Sequence, residues 1–195
     1  MIVAVVLSAG ASSRMGRPKA LLSLDGVPFI ERIVRALERT EVDRTLVVLG
    51  HNAEAMREAI AYLGVDTVVN PDYARGQLSS LHTAIRALDG EPVEAILVHL
   101  VDHPFIESHL VDRMIERFRA EEKLIVVPRF NGRRGHPVLF SGKLFPEFLA
   151  ASLDTGAKPV VRGHPDETLE LDTEEAGILV DIDTPEEYRK HVKDT

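Results

Sequence analysis

The sequence predicts an α/β protein: a mostly parallel sheet covered by helices on both faces, a three-layer α/β/α sandwich with a short antiparallel segment. Three observations predict it. Apolar, β-rich runs recur as IVAVVL, RTLVVLG, DTVVN, AILVHLVD and KLIVVP, apolar at successive positions as strands buried from both sides require. Segments with helical spacing separate most of these runs, the alternation that builds parallel sheets. After Pro128 the alternation gives way to the turn-rich segment FNGRRGHPVLF, which reads as a turn leading into a short antiparallel strand.

Taken in order, the first run enters a loop of small residues and cations, LSAGASSRMGRPK. Phe29, Ile30, Ile33, Val34 and Leu37 then share one helical face, with Pro28 suited to the first helical position. Two further runs lead to NPDYARGQLSSLHTAIRAL, where Leu81, Ala84, Ile85 and Leu88 give a helical pattern and Ser79 or Ser80 is a natural N-cap. AILVHLVD ends abruptly at Pro104, and Leu110, Val111, Met114, Ile115 and Phe118 mark the next helix. Near the end, strand alternation in ILVDIDTPEEY puts Asp181 and Asp183 on one side and Ile182 on the other. Thr184, Pro185 and Glu187 then form a capping-box helix start. With no repeat, low-complexity stretch or linker, one domain over residues 1–195 is expected.

Composition excludes several classes. A net charge of −8 argues against a nucleic-acid partner, which would need a broad cationic face. The absence of cysteine rules out disulfides, thiolate metal sites and a cysteine nucleophile. No run approaches the length of a membrane span, and MIVAVVL is too short and lacks the basic leader of a signal peptide. A cytoplasmic protein without a membrane partner is therefore the expectation.

Ligands of such sheets sit beyond the carboxyl ends of the strands, which directs attention to residues 8–19, 50–52, 70–80 and 102–104. The first loop satisfies neither the Walker spacing nor the dinucleotide glycine pattern. Its ingredients nevertheless suit a triphosphate. Gly10 allows backbone amides to approach oxygens, Ser12 and Ser13 add donors, and Arg14 and Lys19 add charge as a planar fork and a compact point. Asp102, at a strand end, suits Mg²⁺, which takes one or two carboxylates together with phosphates and water. Asp183 reads equally as a second acidic ligand or as a stabiliser of the following helix. Gly76, Gln77, Ser79 and Ser80 read either as a well-started helix or as a helix N-terminus facing a nucleotide. Arg129, Arg133, Arg134 and His136 gather around two glycines and suit a phosphorylated acceptor, with Arg133 read as surface. His103 reads as a strand-end surface histidine and His99 as a hydrogen-bonded core residue. His51, His82, His109, His164 and His191 show no metal-ligand spacing.

LSAGASSRMGRPK resembles the L-[AG]-[AG]-G-x-S-x-R-[MF]-G-x-x-K signature of the MobA-like nucleotidyltransferases, with Ser8 departing from it. VDHP resembles that family's D-[QM]-P motif, with His103 as the departure, and DIDTPEEY its closing [DN]-[IV]-[DN]-T-P-E-[DE] motif. GQLSSLHTAI and RGHPVLF are similar to segments of the branch that transfers a cytidylyl group to the molybdenum cofactor. The resemblance implies a Rossmann-like fold of the nucleotide-diphospho-sugar transferase kind. It also implies transfer of CMP from CTP to the terminal phosphate of a molybdopterin-type cofactor, with GTP the alternative nucleotide and a recipient molybdoenzyme a further partner. The residues it implies for the nucleotide are Leu7, Ala9, Gly10, Ser12, Ser13, Arg14, Gly16 and Lys19, then Gly76, Gln77, Ser79 and Ser80. For the acceptor they are Arg134, Gly135 and His136, and for Mg²⁺ Asp102, Asp181 and Asp183. Arg14, Lys19 and Asp102 are the implied catalytic residues. A cytidylyltransferase for another phosphorylated small molecule and a non-catalytic nucleotide-binding accessory protein are the rival readings. A dinucleotide-dependent oxidoreductase lacks the required glycine spacing.

Overall fold

The computed structural model describes residues 1–191. Its elements run β1 (Ile2–Ser8), a short hairpin of β2 (Ser23–Leu24) and β3 (Val27–Pro28), α1 (Phe29–Leu37), β4 (Arg44–Leu49), α2 (Ala53–Ile60), β5 (Asp66–Val69) and α3 (Gln77–Ala87). They continue with β6 (Ala95–Leu100), α4 (Ser108–Glu121), β7 (Ile125–Phe130), β8 (Arg133–Arg134), β9 (Val138–Ser141), α5 (Phe145–Ala150), α6 (Lys158–Gly163), β10 (Thr168–Asp172) and α7 (Pro185–His191). The main sheet has the order β10-β7-β9-β6-β1-β4-β5, with β8 paired to β7. β1 pairs in parallel with both β4 and β6, whereas β9 runs antiparallel between β6 and β7. The expected antiparallel segment is thus a strand inside the sheet.

Period-two alternation makes the three layers. Ile2, Ala4 and Val6 of β1 face a buried cluster with Ile30, Ile33 and Val34 of α1 and Leu110 and Met114 of α4. Val3, Val5 and Leu7 face the opposite cluster, with Leu78, Leu81 and Ile85 of α3 and Phe148 of α5. Each face of a fully buried strand must therefore supply its own apolar set, which is why the run carries no polar residue before Ser8. A third, smaller cluster of Leu22, Leu24, Phe29 and Ile182, with Tyr188 packed on it, clasps the last segment to the hairpin. The Tyr188 hydroxyl donates to the Ser23 carbonyl at 2.6 Å, and the Ile182 amide to the Asp102 carbonyl at 3.0 Å. These bonds bring the chain's last acidic segment to the end of β6.

Several local expectations need correction. Pro28 occupies the cap position of α1, with Phe29 the first helical residue. Gly76, and neither Ser79 nor Ser80, caps α3; both serines lie inside its first turn. Residues 178–183 form no strand: Ile178 and Leu179 close a 3₁₀ turn (Ala176–Leu179), and Val180 leaves it in extended conformation. Ile182 is nonetheless buried and points away from Asp181 and Asp183, because the third apolar cluster takes it. The capping box stands: the Thr184 amide donates to Glu187 at 2.9 Å, and the Glu187 amide to the Thr184 hydroxyl at 3.2 Å. β7 runs past Pro128 into a turn at Asn131 and Gly132, both at positive φ, as a tight hairpin demands. No helix among the described residues is long and apolar enough to cross a membrane.

His99 sits within β6, fully buried, and its Nε2 bonds the His103 carbonyl at 2.7 Å. Burial holds its pKa down at about 3. A folded pKa below the unfolded value means that the unfolded chain binds the extra proton, so stability is complete above about pH 6.5 and declines as pH falls toward 3. His99→Gln, which keeps a donor for that carbonyl, is expected to reduce the slope of unfolding free energy against pH in this window by about one proton. Denaturant melts at pH 7 and pH 4.5 check this; an unchanged slope would remove His99 from the acid sensitivity.

Candidate active site

The loop that leaves β1 closes on itself. Ser12, at φ 50°, accepts from the amides of Met15 and Gly16, and its hydroxyl accepts from the Lys19 amide at 3.1 Å. Gly16, at φ 68°, supplies the left-handed residue the turn requires. The loop thereby returns the chain to the sheet edge and delivers the Lys19 side chain to the end of β6. There Lys19 Nζ meets Asp102 Oδ2 at 3.0 Å and also bonds Asp183, whose other oxygen takes Arg14 at 2.8 Å.

These charges shape one another. Burial lowers the Lys19 pKa, but Asp183 and Asp102 outweigh it and hold the ammonium above its ordinary range. Burial likewise raises Asp183, yet Lys19 and Arg14 bring it below the usual carboxylate range. Asp181 has no such partner: burial, then the charges of Asp102 and Asp183, push it up to about 6. The site therefore holds three carboxylates and only enough cation for two.

A cleft of about 260 Å³ opens over this cluster. Leu7, Ala9, Gly10, Ser12, Ser13, Arg14 and Lys19 line it from the first loop, Gly76, Gln77 and Ser80 from the start of α3, and Asp102 and Asp183 from beneath. Gly16, Ser79 and Asp181 do not line it. Ser79 instead joins a buried network in which Asn70 Nδ2 donates to the Ser79 and Ser80 hydroxyls at 2.8 and 3.0 Å, and Ser79 donates to the Gly76 carbonyl at 2.7 Å. That network fixes the loop carrying Gly76 and Gln77.

Sequence reasoning missed His51 and Tyr73, which bond each other at 3.2 Å and line the cleft. The signal was positional, since both follow strands at the binding edge of the sheet. Gly50 lets this segment lie directly on the first loop, because a Cβ there would stand 2.5 Å from the Ala9 carbonyl oxygen.

A second cleft of about 700 Å³ adjoins the first and shares Leu7, Gly76, Gln77 and Leu100 with it. Its floor is apolar, with Leu78, Leu81, Val98, Ile125 and Phe140, and Arg75, Arg134, Lys158 and Arg162 stand around it. Gly135 and His136 line it, whereas Arg133 is exposed at the hairpin tip. Arg129 turns away to Asp172 at 2.7 Å, and Arg134 is shared with Glu170 at 2.6 Å. His103 is no surface residue: it is 8% exposed, with its ring 4.9 Å from that of His136. The His136 ring and the backbone at Ile178 lie against it.

Gly135 donates its amide to the Pro128 carbonyl, and a Cβ on it would stand 2.4 Å from the Ile178 carbonyl oxygen. Backbone cannot yield as a side chain does, so Gly135→Ala should cost roughly 1–3 kcal/mol and displace the 176–183 segment with its aspartates. Thermal melting together with turnover checks this; a variant with unaltered stability would show that the approach relaxes freely.

Comparison with known proteins agrees with the geometry. A MobA-like NTP transferase domain matches residues 4–169. The nicotine blue oxidoreductase of Paenarthrobacter nicotinovorans is 32% identical, covering 96% of this chain and 95% of its own. The molybdenum cofactor cytidylyltransferase of Escherichia coli K12 is 28% identical, covering 94% and 92%. Among solved structures, Rv0371c from Mycobacterium tuberculosis H37Rv superimposes with a TM-score of 0.85 at 32% identity, covering 98% of this chain and 96% of that one. Its manganese complex gives a TM-score of 0.81 at 29% identity, covering 100% and 99%.

Proposed function

We propose that this chain, which belongs to the MobA-like NTP transferase family and is a nucleotidyltransferase, moves CMP from CTP to the terminal phosphate of a molybdopterin-type cofactor and releases pyrophosphate. The observation that carries the reading is the pair of adjoining clefts. One is lined by a glycine- and serine-bearing loop with Lys19 and Asp102, the other by cations over an apolar floor, and they meet at Leu7, Gly76, Gln77 and Leu100. Such a junction suits two phosphorylated substrates reacting end to end, where positioning supplies much of the acceleration.

In this reading the loop amides, Ser12 and Ser13 hold the triphosphate, and Arg14 and Lys19 stabilise the charge that develops on departing pyrophosphate. Direct attack by an acceptor phosphate needs no general base. Arg134 and His136, with the apolar floor, orient a flat, phosphorylated acceptor. Hard carboxylate oxygens of Asp102, with Asp181 or Asp183, suit a divalent cation such as Mg²⁺. That ion, when bound, neutralises charge on the phosphate oxygens.

Purified protein incubated with CTP or GTP, Mg²⁺ and molybdopterin cofactor tests the proposal. Pyrophosphate release that needs both the acceptor and CTP, and is slower with GTP, is expected. The absence of release with either nucleotide would overturn it. The likeness to an oxidoreductase supplies a second arm, oxidation of a reduced nicotinamide dinucleotide. The missing dinucleotide glycine pattern predicts none.

A further inference from the structure

We infer that Asp102, His103 and Asp181 form the divalent-cation site of this protein, with the His103 imidazole as a ligand, so that the site favours a transition ion over Mg²⁺. The inference rests on the reading above that a divalent cation serves the transfer, and narrows it to three side chains and a class of ion. A ring nitrogen of His103 and one carboxylate oxygen each from Asp102 and Asp181 lie within 4.8 Å of one another, the one such grouping among the described residues.

Two observations separate this set from the alternative pair of Asp102 and Asp183. Asp183 has both oxygens already engaged, one by Lys19 and the other by Arg14. Asp102 meets Lys19 through Oδ2 alone, leaving its second oxygen. His103 supplies the second observation. It is 8% exposed, and its Nδ1 is buried with no hydrogen-bond partner. A buried polar atom left unpaired is costly. Nδ1 of His99 and of His136 share that state, but of these three histidines His103 is the one with a ring nitrogen close to two carboxylates, where a cation would give it a partner.

The residue is also held in place by its backbone and by a ring contact. The His103 carbonyl accepts from His99 Nε2 at 2.7 Å, its amide donates to the Leu100 carbonyl at 3.1 Å, and His136 packs against the imidazole. Mg²⁺ prefers an all-oxygen octahedron that retains water, whereas imidazole nitrogen favours the later first-row ions. One nitrogen among the ligands therefore shifts selectivity while leaving the carboxylates to supply charge.

Direct binding to the nucleotide-free protein tests this without reference to turnover, so its failure is separate from failure of the transfer reading. Calorimetric titration should show Co²⁺ binding at least about tenfold more tightly than Mg²⁺. Pulsed EPR of the Mn²⁺-loaded protein should show coupling to an imidazole ¹⁴N. His103→Gln should abolish that coupling and weaken Co²⁺ by about tenfold while changing Mg²⁺ little; Asp181→Asn should weaken both ions, and Asp183→Asn neither. Melting curves confirm that each variant is folded. No cation binding to the wild type, no ¹⁴N coupling, or an equal loss of Co²⁺ and Mg²⁺ in His103→Gln would overturn the assignment.

Discussion

Asp102→Asn is expected to lower pyrophosphate release by about a thousandfold or more while the protein melts at or above the wild-type temperature. The two effects have opposite signs because one carboxylate serves both. For turnover, Asp102 is common to every arrangement of cation ligands available at this edge of the sheet, and an amide cannot replace its charge. For stability, Asp102 adds to the repulsion that, with burial, raises Asp181 to about 6. Asparagine retains the shape of the group and an oxygen for Lys19 at the 3.0 Å position, yet removes that repulsion. Pyrophosphate assay and thermal melting on the same preparation read both quantities. Turnover near the wild-type rate would remove Asp102 from the chemistry. A large fall in melting temperature would show that its bond to Lys19 matters more to the fold than the crowding does.

Lys19→Ala should also abolish most turnover, by about 10²–10³-fold, but it should destabilise the protein by roughly 2 kcal/mol. Lys19 is the shared partner of Asp102 and Asp183, and its side chain is 13% exposed against 20% and 24% for theirs. Its removal leaves Arg14, whose side chain is 67% exposed, as the remaining close cation on Asp183. Lys19→Arg should recover stability more than activity, because a planar fork cannot occupy a compact point between two carboxylates and still reach a phosphate. Equal recovery of both by arginine would mean that charge alone, without position, suffices. The contrast between the Asp102 and Lys19 variants is the sharper test: similar losses of activity with shifts of stability in opposite directions.

Much of this architecture was legible in the sequence because its causes are local. β1 reads as a doubly buried strand from seven consecutive residues, all of them buried. The capping box at Thr184 and Glu187 spans four positions and forms as its spacing demands. The first loop declared its cations and glycines, and Gly10, Arg14 and Lys19 do line one cleft with Asp102. Locality also explains a miss. Ser79 and Ser80 have the right composition for a cap, but Asn70, brought beside them by the end of β5, binds both hydroxyls within the helix instead.

The sequence by itself determined the alternation of strands and helices, the start of the last helix and the residue types at the binding edge. Each follows from periodicity or capping over a few neighbouring positions. Tertiary structure alone decided which charges meet. Lys19 joins Asp183 across 164 residues, and the strand order that places β6 beside β1 brings Asp102 to the same lysine. It also decided that His103 is buried, since His136 and the backbone at Ile178, both distant in sequence, lie against a ring that the sequence leaves at a strand end. Electrostatics and burial depend on distances through space, and the chain specifies these only after its apolar faces have chosen their partners.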